Sequence, residues 1–301
     1  MFKKSFCVLI LLWIGFSATS AQAQELSKDD QKQMALMEDT LVSVADSMFN
    51  AFIPDERPAY CQKFVKHLVR ALKTENSFAY NFEKLGKTVN IIAPTDKSFR
   101  IFNWLVVSSA HDIRYYGAIQ MPGEELKLYP LIDCTKDLGK FAEDSILTNS
   151  RWFGALYYRI VTTEMKGQKV YTLFGRNSSS PVSNKKVMDP LQFTDQGIVF
   201  GAPIFNVGSQ NSEQRINRFI IEYKKEVQAS LNWDDEKQMV YFDKLISQVN
   251  DPNRKYTYVP SGEYDGFRWE NDQWNYMQDL IPVQKFKDGE APAPVPLKGK
   301  D

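Results

Sequence analysis

Four aromatic residues near the carboxyl end form the pattern that most directly suggests ligand binding. They are Phe267, Trp269, Trp274 and Tyr276. A two-residue hairpin turn at Asn271-Asp272 would place Trp269 opposite Trp274 and Phe267 opposite Tyr276, with all four rings on one face of the hairpin. Exposed, the rings would form a stacking platform for sugars or extended peptides. Buried, they would form a cross-strand zipper that closes the core, which is the commoner outcome and our prediction.

Residues for nucleophilic or metal-assisted catalysis are few. The chain has two histidines, His67 on a predicted helix and His111 in a predicted turn beside Asp112. Histidine is the usual base of a nucleophilic triad, but a turn histidine next to an aspartate is usually just solvated. No HExxH, GxSxG or phosphate-binding glycine loop occurs. We therefore assign no catalytic residue, no metal ligand and no cofactor, and favour a non-enzymatic role.

Acidic residues are frequent at predicted turns. Asp234-Asp235-Glu236 lies between two predicted strands, and Glu270 and Asp272 lie at the last hairpin. A glycosidase needs two carboxylates held roughly 5–10 Å apart across a cleft, and a hydrolase of this kind could use Asp234 or Asp265. Acidic residues also favour turns by themselves, so we interpret these residues as turn formers.

The first 23 residues have the three-part pattern of a secretory signal peptide. Lys3 and Lys4 give a positive start, an apolar run covers 6–16, and Ala21-Gln22-Ala23 is an A-x-A cleavage site. The run is too short for a membrane anchor, which needs about 20 apolar residues, and no cysteine follows it for lipidation. We predict cleavage near Ala23 and a soluble mature chain that is periplasmic or secreted.

Charge and composition limit the partners of the mature chain. The full chain has 37 basic and 37 acidic residues, and removing Lys3 and Lys4 leaves 35 against 37. A balance so close to zero gives no long-range attraction to nucleic acid or an anionic membrane. We predict no nucleic-acid binding and no stable membrane insertion, and an unidentified envelope glycan or protein as partner. The 20 Phe, 14 Tyr and 6 Trp suffice for a packed core.

Two cysteines, Cys61 and Cys134, remain after removal of the predicted signal peptide. In an oxidising compartment, two cysteines that are the only ones in a chain more often form a disulfide than remain free thiols. A bridge would close a loop of about 74 residues, worth roughly 4 kcal/mol on the chain-entropy model. We predict a structural disulfide, with two buried free thiols as the alternative. Asp133 and Thr135 flank Cys134 and give it no activation as a reactive thiol.

The mature chain opens with two amphipathic helices. Ser27, followed by Asp30, is a capping-box-like start, and an apolar stripe at steps of three and four follows it. The stripe consists of Met34, Met37, Leu41, Val44, Met48 and Phe52. Pro54 ends the first helix, and Pro58 begins the second. The predicted buried face of the second helix consists of Cys61, Phe64, Val65, Leu68 and Leu72.

From Val89 onward the sequence predicts an antiparallel meander. Runs rich in β-branched and aromatic residues alternate with short polar turns, which join antiparallel rather than parallel strands. The predicted strands are 89–94, 99–107, 113–121, 126–132, 153–163, 169–174, 219–223 and 227–233. The fold should be mainly β, a sandwich or open barrel with two N-terminal helices. A weak repeat of about 42 residues between Tyr115-Tyr116 and Tyr157-Tyr158 makes an incomplete propeller-like stack the alternative.

These elements divide the chain into four parts. Residues 1–23 are the signal peptide, 24–75 the helical N-terminal segment, 76–282 the antiparallel β domain, and 283–301 a Pro-rich extended tail. Within the β domain, the serine-rich segment 175–186 is predicted to be a mobile surface loop.

Three short stretches resemble an uncharacterised exported family of Bacteroidetes-type bacteria. They are DKSFRIFNW at 96–104, GALYY at 154–158 and YDGFRW at 264–269. The resemblance spans roughly residues 90–277. It implies a β-rich exported domain and brings with it neither an activity nor a functional residue.

The sequence therefore favours an exported envelope protein with a binding or structural role and an unidentified ligand. The alternative is a hydrolase that acts on envelope polysaccharide or peptidoglycan through paired carboxylates.

Overall fold

A computed structural model describes residues 26–109, 112–208 and 214–280. The predicted signal peptide, the cleavage site at Ala23, His111 and the Pro-rich tail lie outside the described residues. As predicted, the fold is mainly β, with antiparallel sheets and two long N-terminal helices. None of the described helices combines the length and the apolar content needed to cross a membrane.

Three helices and sixteen strands make up the described chain. The helices are α1 (Lys28–Asn50), α2 (Arg57–Leu72) and α3 (Thr135–Leu138). The strands are β1 (Asn90–Ile92), β2 (Arg100–Ser109), β3 (Asp112–Met121), β4 (Lys127–Ile132), β5 (Leu147–Thr148), β6 (Leu156–Met165), β7 (Gln168–Asn177), β8 (Ser183–Thr194), β9 (Gly197–Phe200), β10 (Phe205–Asn206), β11 (Arg215–Ile216), β12 (Phe219–Lys224), β13 (Leu231–Asp234), β14 (Met239–Ser247), β15 (Tyr258–Glu270) and β16 (Gln273–Met277).

The strands form three sheets. The first sheet has the order β1-β2-β3-β4. The second has the order β5-β9-β8-β7-β6, and β12 also pairs with β8. The third has the order β11-β10-β16-β15-β14-β13. Neighbouring strands are antiparallel except β10 and β16, which are parallel.

The helices and the three sheets stack in four layers with a hydrophobic core between each successive pair. On β2, Phe102 and Trp104 face the helices, while Ile101 faces the second sheet. On β7, Leu173 faces the first sheet and Phe174 faces the third. The middle sheet is therefore buried on both faces, which explains the nearly continuous burial along β7. The face-to-face stack corresponds to the predicted sandwich rather than to the propeller-like alternative.

Helix α1 begins as predicted, because the Ser27 hydroxyl accepts the Asp30 N–H at 3.1 Å. One residue of each predicted apolar stripe is exposed and not buried. Phe52 is 99% exposed, because α1 ends at Asn50 and Phe52 lies beyond the helical period. Val65 is 37% exposed, because it lies beside the stripe that contacts the first sheet.

The predicted Cys61–Cys134 disulfide is not formed in the structure, where both cysteines are free and buried. Cys61 lies on the helix side of the first sheet, and its sulfur accepts the Trp104 indole N–H at 3.4 Å. Cys134 follows β4 and packs in the core on the opposite side of that sheet. The first sheet thus separates the two thiols, and burial raises the pKa of both.

Two predicted segments of the β domain also differ. The predicted strand 227–233 shortens to β13, because Asp243 accepts the N–H and the hydroxyl of Ser230 at 2.6 and 2.8 Å and so replaces a strand partner. The predicted loop 175–186 shrinks to 178–182 between β7 and β8. Lys225 donates to the Ser178 and Ser180 carbonyls at 2.8 Å and anchors that loop.

Buried polar side chains connect the layers. Glu38 of α1 accepts the N–H groups of Lys84 and Leu85 at 2.8 and 2.9 Å and thereby attaches the helix to the chain before β1. In the middle sheet, Asp189 and Arg218 form an ion pair at 2.7 Å with no exposed surface on either side chain. Tyr157 donates its hydroxyl to the same aspartate at 3.0 Å.

A carboxylate also fixes the turn before β2. Asp96 accepts the N–H and hydroxyl of Ser98 at 3.1 and 2.7 Å and the Lys169 ammonium at 2.6 Å. Burial alone would raise the pKa of Asp96, but these donors outweigh it and lower that pKa to about 2.

Candidate functional site

The last hairpin has the predicted register. Asn271 and Asp272 both have positive φ, as a type I′ turn requires, and Trp269 lies opposite Trp274. Phe267 lies opposite Tyr276. The pairing predicted from the dipeptide and the aromatic spacing is confirmed.

The four aromatic rings do not form an open platform. Phe267 and Trp274 have no exposed surface, and Trp269 and Tyr276 are half-buried. The Trp274 indole N–H donates to the Thr172 hydroxyl of the second sheet at 3.1 Å. The Trp269 and Trp274 ring centroids are 5.2 Å apart in an edge-to-face arrangement. The cluster closes the core between the second and third sheets, as a zipper would.

Tyr276 lines a cavity, which we name the inter-sheet cleft. The cleft has a volume of about 620 Å³, within the roughly 300–1,000 Å³ range of ligand sites. It lies where β12 of the second sheet approaches β14, β15 and the Lys255–Thr257 turn. Its charged and aromatic lining residues are Lys140, Glu143, Lys185, Phe219, Glu222, Phe242, Asp243, Lys244, Lys255, Tyr258, Asp265 and Tyr276.

Three of the four carboxylates in the inter-sheet cleft each interact with two donor groups. Asp243 accepts both donors of Ser230. Asp265 accepts the Tyr276 hydroxyl and the Asp279 N–H, the latter at 3.0 Å. The third, Glu222, is bonded in the same way: it accepts the hydroxyl of Ser183 and pairs with Lys185 at 3.5 Å. These three carboxylates therefore stabilise the fold.

Glu143 is the least engaged acid of the inter-sheet cleft. Its carboxylate accepts the Ile220 N–H at 3.3 Å and forms no ion pair with any residue that the structure describes. Its backbone carbonyl accepts the N–H groups of Asn217 and Arg218, which fixes the segment against the second sheet. Burial raises the pKa of the Glu143 carboxyl, and the hydrogen bond from Ile220 offsets part of that rise.

The unpaired charges of the inter-sheet cleft have both signs, because Glu143, Asp243 and Asp265 form no ion pair among the described residues and neither do Lys140 and Lys255. Lys255 lies over the Tyr258 ring at 4.7 Å, and Lys140 lies over the Phe141 ring at 5.3 Å. Neither ammonium forms an ion pair within the described ranges. Lys244, by contrast, is neutralised by Glu263 at 3.1 Å and Asp279 at 2.7 Å. The cleft therefore offers groups of both charges to a ligand, and Lys255 lies near enough to the Glu143 carboxyl to lower its pKa slightly against the rise caused by burial.

The other residues considered from the sequence lie elsewhere. His67 is half-buried on α2, on the far side of the first sheet from the inter-sheet cleft. Asp234 accepts the N–H groups of Glu236 and Lys237 at 3.0 and 2.9 Å, which confirms it as a turn former. Glu270 and Asp272 are exposed at the tip of the last hairpin. No group of three potential metal-binding side chains occurs in the part of the chain that the structure describes.

Sequence reasoning missed most of the inter-sheet cleft. Glu143, Lys185, Lys255 and Tyr258 were not singled out, because no local pattern marks them. The Glu143–Ile220 contact alone spans 77 positions of the chain. Only Asp265 and Tyr276 were among the candidates.

Comparisons of the chain with protein-family models, with curated proteins and with solved structures found no match in any of the three.

Proposed function

We propose that this chain is an exported binding protein of the cell envelope whose ligand occupies the inter-sheet cleft. The observation that supports the proposal is the cleft itself, which combines a ligand-sized volume, four aromatic side chains and charged groups of both signs that form no ion pair among the described residues. Export is proposed from the signal-peptide pattern of residues 1–23. The ligand is an envelope glycan or a protein segment.

Library binding with two matched variants tests this proposal. The exported chain is screened against glycan and peptide arrays, and binding of each hit is measured for Lys255→Glu and Lys127→Glu. Both lysines are exposed and lie over a tyrosine ring, but Lys127 belongs to the first sheet, remote from the inter-sheet cleft. Reversing the charge at Lys255 should change affinity by about tenfold, through an electrostatic term near 1.4 kcal/mol. Hits that respond equally to both variants would contradict the proposal.

A hydrolase is the second candidate, and one observation favours it. The Glu143 carboxyl, whose pKa is raised by burial, shares the inter-sheet cleft with other carboxylates, as a general acid and its partner do in glycosidases. The multiple hydrogen bonds of Asp243, Asp265 and Glu222 weigh against a free second carboxylate. Release of soluble fragments from purified peptidoglycan, abolished by Glu143→Gln, would establish this activity and replace the binding role.

A further inference from the structure

Helix α2 carries a line of positive charge on its exposed side. Residues 57–74 contain five lysine and arginine residues and no acidic residue, although the whole chain has 37 of each kind. Four of the five follow one another at helical steps of three, four and three, which places them within one arc of about 80° around the axis. All four are exposed, and we name them the basic stripe: Lys63, Lys66, Arg70 and Lys73.

The fold does not neutralise the basic stripe. No carboxylate among the described residues forms an ion pair with any of its four members, because the two ion pairs of α1 join that helix to itself and to the chain before β1. The helix dipole stabilises cations only near the end of a helix, where Arg70 and Lys73 lie. It does not account for Lys63 and Lys66, which lie earlier in α2. The stripe thus has no complete explanation in the stability of the fold.

The dimensions of the basic stripe fit a linear partner. At a rise of 1.5 Å per residue, its charges lie about 4.5–6 Å apart along the axis and extend over about 15 Å. The charges stand in single file and not over a broad surface. A polysaccharide with one acidic group on each sugar residue presents its charges in a similar row, and opposite rows of charge attract one another.

The surroundings of the basic stripe disfavour a membrane as its partner. A helix that lies on an anionic bilayer combines cations with apolar side chains that enter the lipid. The apolar side chains exposed just before α2 are Phe52 and Ile53, but the exposed acids Asp55 and Glu56 lie between them and the stripe. An anionic bilayer would repel these acids. A polymer that follows the stripe from Lys63 toward the end of the helix does not meet them.

We propose that the basic stripe of α2 binds a linear acidic polysaccharide of the cell envelope. The net charge near zero gives no attraction at long range, but four unpaired cations act within a Debye length, about 8 Å at physiological salt. Helix α2 lies on the far side of the first sheet from the inter-sheet cleft. The inference therefore goes beyond the proposed function, and a polymer on the stripe would leave the cleft open to its own ligand.

The first measurement compares a charged polymer with its uncharged form. Fluorescently labelled polygalacturonate and its methyl ester are titrated with the exported chain and followed by anisotropy at 50 and 200 mM salt. Each neutralised charge of a single-stranded nucleic acid contributes about 0.7 to the slope of log affinity against log salt, so four contacts should give a slope near 3 and weaken binding on the order of 50-fold over this range. Equal binding of the methyl ester, or no binding of polygalacturonate at 50 mM salt, would overturn the inference.

The second measurement locates the contact. The double variant Lys66→Gln/Arg70→Gln removes two charges of the basic stripe, and Lys166→Gln/Arg268→Gln is the matched control. The control residues are also one lysine and one arginine, exposed and without an ion pair among the described residues, but they belong to the second and third sheets. Each basic side chain near an anionic surface contributes about a fivefold change, so the stripe variant should bind about 30-fold more weakly and the control should bind like the parent. Equal losses in both variants would contradict the proposed location.

A single substitution gives the same test in case the double variant does not fold. Lys63→Gln lies at the start of the stripe on an exposed position and should weaken binding of polygalacturonate about fivefold. Unchanged binding by this variant, with circular dichroism matching that of the parent, would overturn the inference.

The remaining outcomes separate this inference from other partners and from the proposed function. Vesicles of phosphatidylcholine and phosphatidylglycerol that bind the parent but not the stripe variant, in the absence of polygalacturonate binding, would assign the stripe to a membrane and overturn the polysaccharide. Polygalacturonate binding that Lys255→Glu removes and the stripe variant keeps would place the polymer in the inter-sheet cleft, which supports the proposed function and overturns this inference. Polygalacturonate binding that depends on the stripe supports the inference even if the cleft binds none of the library ligands.

Discussion

Trp274→Ala should cause one of the largest losses of stability of any single substitution in this chain. Trp274 has no exposed surface and packs against Trp269 and Trp233, with ring centroids 5.2 and 6.0 Å away. Replacing a core tryptophan with alanine costs about 3–5 kcal/mol. The variant also leaves the fully buried Thr172 hydroxyl without its indole donor, which adds about 1 kcal/mol. The sum is a large part of the roughly 5–15 kcal/mol that stabilises a typical domain.

Urea unfolding followed by far-ultraviolet circular dichroism measures this loss without depending on tryptophan fluorescence. Trp269→Ala is the internal comparison. Trp269 is half-buried on the same face, so its loss should be roughly half as large, about 1.5–2.5 kcal/mol. A change below about 0.5 kcal/mol for Trp274→Ala, with an unchanged dependence on urea, would refute the zipper and return the hairpin to consideration as a ligand platform.

Three further predictions concern single interactions. Asp189→Asn leaves the Arg218 guanidinium buried without a counter-charge and should cost about 3–5 kcal/mol in urea unfolding; a loss below about 1 kcal/mol would contradict the ion pair. Gly266→Ala places a methyl carbon 2.1 Å from a backbone oxygen and should lower the melting temperature strongly, whereas Gly86→Ala, with nothing within 4 Å, should not. The Asp96 pKa of about 2 lies below its unfolded value of roughly 3.9, so its stabilisation is present above pH 4 and lost as the pH falls through 2. As the pH is lowered from 4 to 2, the unfolding free energy of Asp96→Asn should therefore fall less steeply than that of the unsubstituted protein. Equal slopes against pH in the two proteins would refute this.

Local signals predicted the elements that depend on local chemistry. The Ser27 cap marks the start of α1, and Asn271-Asp272 sets the register of the last hairpin, because in each case neighbouring residues satisfy one another. The cysteine prediction failed for the opposite reason. Whether Cys61 and Cys134 lie on one side of a sheet depends on the alternation of several strands and not on either cysteine's neighbours.

The stretches 96–104, 154–158 and 264–269 have structural roles in this fold. Asp96 holds the turn before β2, and a methyl group on Gly154 would lie 2.5 Å from the Asp133 carboxylate. Gly266 lies against the Val240 carbonyl, so that β15 can approach β14. Glycine at these two positions is required by close approach and not by ligand binding. Motifs of this kind indicate a fold and not a binding site. Of the residues that line the inter-sheet cleft, only Asp265 lies within one of the three stretches.

The edge of β12 that faces away from β8 bears on how the protein avoids aggregation. Exposed sheet edges promote pairing between molecules, and proteins usually protect them with charges, bulges or covering segments. Here the Lys255–Thr257 turn lies beside β12, and the Glu143 carboxylate accepts the Ile220 N–H at that edge. The edge is therefore covered by segments of the same chain, which protects it from pairing with a strand of another molecule.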